Sequence, residues 1–134
     1  MSLAFLSPAR TDELGKVELR GDVASFDAER IVRLTPRRAV AITADAPALV
    51  ARARDAGLRA YDVSGALASV PVESDALLRR LTEVEIDAPT AAPVAGDVTA
   101  LIFPLGDGRY ELYVPRELAE YVAGVVADLQ AGLA

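Results

Sequence analysis

At 134 residues the chain has the length of one ordinary domain, and a hydrophobic fraction of 52% is enough to build a substantial core. A net charge of −6 removes the basic face that nucleic acid or an anionic membrane would require. No apolar run reaches the roughly 18 residues that would span a bilayer, and no basic stretch precedes the first apolar residues, so a cytoplasmic protein is expected.

Missing residue types narrow the chemistry further. The chain has no Cys, His, Asn or Trp, and Lys16 is its single lysine. Ser-His-Asp and Cys-His catalysis, disulfides, and cysteine or histidine metal sites are therefore excluded within it. Carboxylates and tyrosines remain for acid–base work, and no residue stands out as catalytic.

In chain order, residues 1–16 read as a loose arm and Val17–Leu19 as a short strand. Arg20-Gly21-Asp22 reads as a turn. Ile31–Leu34 alternates weakly until Pro36 breaks it. Arg30, Arg33, Arg37 and Arg38 form the densest basic cluster, a solvated turn or an anion site of bidentate arginines. Val40–Thr43 reads as a strand. Asp45 and Pro47 announce a helix whose inner face is Leu49, Val50, Ala53 and Ala56, with Gly57 beyond its end. From Arg59 to Glu73 the pattern is extended and apolar on both parities, which predicts one long central strand. Ser74 suits an N-cap, and Leu77, Leu78 and Leu81 the inner face of a short helix.

Glu83–Asp87 reads as a short extended piece and residues 88–97 as a surface loop. Val98–Val114 reads as a hairpin closed by Asp107-Gly108. That register pairs Leu105 with Tyr110, Phe103 with Leu112 and Leu101 with Val114, and Pro104 marks an edge or a bulge. Tyr110 and Tyr113 fall on opposite faces, so at most one is expected in the core. A helix from Arg116 carries the stripe Leu118, Val122, Val125 and Leu129, widened by Tyr121 and Val126. The sum predicts a single α+β domain over 1–134. It would be a ferredoxin-like sandwich, with a mainly antiparallel sheet and helices packed on one face.

AGLRAYDVSGALASVPVESDALLRRLT resembles a segment of the folate-binding superfamily of the glycine-cleavage aminomethyltransferase, with Asp62-Val63-Ser64 and Leu81-Thr82 as the matching steps. The C-terminal GDGRYELYVPRELAEYVAGVVADL resembles the gamma subunit of heterotetrameric sarcosine oxidase, through Val114-Pro115-Arg116 and Tyr121. Where aminomethyltransferases continue His-Met-Gly this chain has Gly65-Ala66-Leu67, and their Asn-Asp pair is replaced by Thr82-Glu83-Val84-Glu85. The resemblance thus implies the fold and a bacterial-type setting in one-carbon or methylamine metabolism, without the catalytic step. It implies an accessory subunit without a cofactor of its own, working in a hetero-complex or as a homodimer. The alternatives are a stand-alone folate-binding protein and a small ligand-sensing or dimerisation module. A tetrahydrofolate site, if kept, would draw on Asp62, Ser64, Arg37 and Arg38, with Arg33, Glu83 and Glu85 as further candidates.

Overall fold

The computed structural model describes residues 14–133, so most of the expected arm, residues 1–13, lies outside the described residues. The fold is α+β, with eight strands in two four-stranded sheets and three α-helices among the described residues. The chain divides into two compact units, Glu13–Leu67 and the stretch from Ala68 onward.

The first unit holds β1 (Gly15–Arg20), β2 (Arg30–Thr35), β3 (Arg38–Thr43), α1 (Ala46–Asp55) and β4 (Arg59–Asp62). Its sheet runs β2-β3-β1-β4, with antiparallel pairing throughout. Gly15 and Lys16, expected in the arm, are the first residues of β1. A Cβ on Gly15 would sit 2.7 Å from the Ala46 Cβ, so only glycine lets this strand end pass so close to the start of α1. Asp45 caps α1 by accepting from the Ala48 N–H at 3.0 Å. Gly57, at φ +89°, follows the helix as the chain turns into β4. Leu49 and Ala53 pack with Val17, Leu19, Ala39, Ala41, Ala60 and Phe26 in one apolar cluster. Ala56, expected on that face, is exposed at the cap.

The second unit holds β5 (Leu67–Val72) from its second residue on, α2 (Asp75–Leu81), β6 (Thr90–Val94), β7 (Val98–Gly106), β8 (Arg109–Pro115) and α3 (Ala119–Leu133). Its strand order is β5-β8-β7-β6. Ser74 caps α2 by accepting from the Leu77 N–H at 3.1 Å, and Leu77, Leu78 and Leu81 are buried. Val70, Val72, Ala100, Ile102, Leu112 and Val114 meet α2 and α3 in a single cluster, which places both helices on one face of the sheet.

Three expectations about strands are corrected. The long central strand is two strands, β4 and β5, separated by a 3-10 turn at Ser64–Ala66, and each is the outer strand of its own sheet. Residues 88–97 are not wholly loop, because Thr90–Val94 pairs with Val98–Ile102 as an edge strand. Glu83–Asp87 forms no strand.

The hairpin register is also displaced. Asp107 and Gly108 take positive φ, as the expected turn requires, but Leu105 is left over as a bulge. Pro104 therefore faces Tyr110, Ile102 faces Leu112 and Leu101 faces Tyr113. Pro104 lacks an N–H, and Gly106 at φ +86° accommodates the bend, so the extra residue is absorbed there and Leu105 is 45% exposed. Both Tyr110 and Tyr113 are buried, since both faces of β8 are covered. Tyr113 meets Phe103 edge to face at 5.7 Å.

The C-terminal helix keeps Val122 and Val126 of its expected stripe in the core, with Val125 and Leu129 packed partly against it, but its inner face is shifted toward Ala119 and Ala123. A 3-10 turn at Arg116–Leu118 precedes α3, so Leu118 lies outside the α-helical phase of the stripe. Ala119, Val122, Ala123 and Val126 turn inward, while Leu118 and Tyr121 remain exposed.

Leu112 is fully buried beside Ile102. Leu112→Ala is expected to cost about 2–5 kcal/mol in a urea titration. A loss under about 0.5 kcal/mol, the range of ordinary surface changes, would contradict this packing.

Candidate functional site

Asp62 and Ser64 are brought together where β4 ends. Asp62 Oδ1 accepts from the Ser64 N–H at 2.9 Å and from the Ser64 hydroxyl at 2.6 Å. Ser64 Oγ in turn accepts from the Lys16 N–H at 2.9 Å. These two bonds, the hydroxyl's first, hold the Asp62 carboxyl below the usual carboxylate range against a slight opposing effect of burial. The pair thus closes a turn onto β1, and the remaining Asp62 oxygen, Oδ2, is the one left for other contacts.

The arginines do not converge. Arg38 donates to Glu18 Oε1 through Nε at 3.0 Å and NH2 at 2.7 Å, and Arg20 Nε donates to Glu18 Oε2 at 3.0 Å. Burial alone would raise the Glu18 carboxyl, but Arg38 and then Arg20 outweigh it and hold the carboxyl below its usual range. Both arginine side chains are about half exposed, at 48% and 47%, so solvent screening limits such a pair to roughly 0–1 kcal/mol. Arg33 donates to the carbonyls of Val23 and Phe26 at 3.1 and 2.7 Å, bracing the 22–29 segment. Arg37 donates its backbone N–H to Thr35 Oγ1 and is exposed.

The second unit carries polar clefts that the sequence pattern did not single out. A cleft of about 160 Å³ lies among Asp75, Leu78, Arg79, Val84, Glu85 and Tyr110. The Tyr110 hydroxyl donates to Asp75 Oδ1. That bond first, then burial and the Asp75 charge, push the Tyr110 phenol above its ordinary value, with Arg79 opposing. Glu85, a sequence candidate, lines this cleft. Glu83 lines a larger one of about 550 Å³, running past Arg79, Arg80, Val84, Pro93 and Gly96. The irregular 82–89 segment gives no periodic signal, and nothing in the spacing joins Asp75, in the first turn of α2, to Tyr110.

Among the described residues no three His, Cys, Asp or Glu side chains are placed to hold a metal. No helix there is long and apolar enough to cross a membrane.

The fold is shared with an α+β chain of known structure. No protein-family model matches the sequence, and no curated protein sequence matches it. The solved structure of heterotetrameric sarcosine oxidase from Corynebacterium sp. U-96, in complex with pyrrole 2-carboxylate, contains a chain similar to this one. The likeness has a TM-score of 0.75 at 13% identity and covers 92% of this chain and 83% of that one.

Two ionisation effects are expected. The stabilisation from neutral Tyr110 is complete below pH 10 and is lost as pH rises through its raised folded-state value. Denaturant midpoints of the wild type should therefore fall above pH 10 by more than those of Tyr110→Phe; parallel profiles would contradict the Tyr110–Asp75 bond. In acid, the Asp62 and Glu18 contributions are complete above the ordinary carboxylate range and are lost below about pH 4. Asp62→Asn should flatten part of that acid limb in thermal melts, and an unchanged limb would count against the Ser64 bonds.

Proposed function

We propose that this chain is a non-catalytic subunit of an amine-oxidising complex resembling heterotetrameric sarcosine oxidase, in the position of its gamma subunit. The observation that carries this reading is the likeness to a sarcosine oxidase chain over nearly the full length of both chains. Coverage of 92% and 83% means that the matched chain is only slightly longer than this one, so the likeness is to a small chain as a whole. The composition points the same way: without His or Cys the chain has few groups for redox or covalent flavin chemistry. Its sequence candidates also have internal partners, Asp62 with Ser64 and Arg38 with Glu18.

In this reading the chain docks on flavin- and folate-carrying subunits and holds no cofactor itself. Affinity purification of the tagged chain from its own host should yield a stoichiometric complex with flavin absorbance and sarcosine-dependent peroxide formation. Recovery of the chain alone, or with partners lacking flavin, would refute the reading. The isolated chain should be colourless. Calorimetric titration with tetrahydrofolate should show no site tighter than about 100 μM, equivalent to roughly −5.5 kcal/mol. A micromolar site weakened by Asp62→Ala would instead assign the chain a folate-binding role.

A further inference from the structure

The exposed large apolar side chains of the second unit include three that fall on connected elements. Tyr121, on the first turn of α3, is 57% exposed, and Leu118, three residues before it, is 37% exposed. The Tyr121 hydroxyl donates to the Ala95 carbonyl at 3.4 Å, so the phenol has its own partner while the ring remains in solvent. Ala95 belongs to the β6–β7 turn, and its N–H donates to the Leu81 carbonyl at the end of α2 at 3.2 Å. Beside that turn lies the cleft of about 550 Å³, bordered by Arg79, Arg80 and Val84, which is 46% exposed. Tyrosine rings held in place and left in solvent are typical anchors of protein interfaces, because little freedom remains to be lost on binding.

The charge on this face runs against that of the whole chain. The net charge is −6, yet Arg79 and Arg80 are adjacent and exposed at the cleft, and neither forms an ion pair among the described residues. Glu83 is the single acid on the cleft lining. A carboxylate of a partner can therefore find here a guanidinium that no described carboxylate engages, in the bidentate geometry that arginine favours.

We propose that the cleft between the α2 end and the β6–β7 turn, with Tyr121 bonded to that turn beside it, docks an extended acidic and apolar segment of a partner protein. The inference rests on the reading of the chain as an accessory subunit and names the surface that such a subunit uses. The partner's carboxylates meet Arg79 and Arg80, and its apolar side chains cover Val84 and Tyr121.

The test uses the full chain and a fluorescein-labelled dodecapeptide of alternating glutamate and leucine, with a lysine-leucine peptide as control. Saturable binding of the glutamate peptide is expected by fluorescence anisotropy, at least tenfold tighter than the control. The double variant Arg79→Glu, Arg80→Glu and the single variant Tyr121→Ser should each weaken it at least tenfold while leaving the circular dichroism melt unchanged. Absence of saturable binding, equal binding of both peptides, or indifference to the substitutions would overturn the proposal. Full displacement by free glutamate would overturn it as well, by marking a small-anion site. Peptide binding by a chain that recovers no flavoprotein from its host would leave the surface standing and remove the sarcosine oxidase reading. A native complex that survives all three substitutions would do the reverse.

Discussion

The turn at Asp62–Ala66 decides what the neighbouring strands can do. Asp62 accepts both the amide and the hydroxyl hydrogen of Ser64, Ser64 Oγ accepts the Lys16 amide, and the Val63 N–H donates to the Lys16 carbonyl at 2.8 Å. Together these bonds tie the end of β4 to β1 and use local side chains in place of ladder partners. An apolar run that would otherwise continue as one strand is interrupted. Its first part closes the β2-β3-β1-β4 sheet, and its second opens the β5-β8-β7-β6 sheet. Each sheet then covers one face with its own helices, α1 in the first and α2 with α3 in the second.

Much of this was legible in the sequence wherever a signal was local. Asp45, Gly57 and Ser74 mark helix ends by chemistry that acts within three residues, and all three sit where that chemistry predicts. The Asp107-Gly108 turn is legible for the same reason. What failed depended on residues far apart or on a phase that one irregularity resets. The Leu105 bulge moves Leu112 from Phe103 to Ile102, and the small residues Ala119 and Ala123 take the inner face of α3, leaving Tyr121 on the opposite side. The Thr90–Val94 strand has no alternating pattern of its own, because alanine and proline fill it; only its pairing with β7 makes it a strand.

The candidate site divides in the same way. The closeness of Asp62 and Ser64 follows from their spacing. The separate engagements of Arg33 with backbone carbonyls and Arg38 with Glu18 do not, since they are set by cross-strand register. The Tyr110–Asp75 contact spans 35 positions and could not be read from either stretch alone. These local bonds are suited to holding structure rather than to moving electrons or protons. The unused capacity of the second unit lies instead in exposed rings and guanidinium groups, which suit contact with another protein.

The central claim is that this chain works through a protein surface and not through a small-molecule site. Hydrogen-exchange mass spectrometry tests it most directly, comparing the free chain, the chain in the complex recovered from its host, and the chain with tetrahydrofolate alone. Slowed exchange over residues 79–84, 93–96 and 118–121 is predicted in the complex, with no change on adding tetrahydrofolate. Slowed exchange around Asp62, Ser64 and Arg37 with tetrahydrofolate alone, and none over the cleft in the complex, would contradict the account.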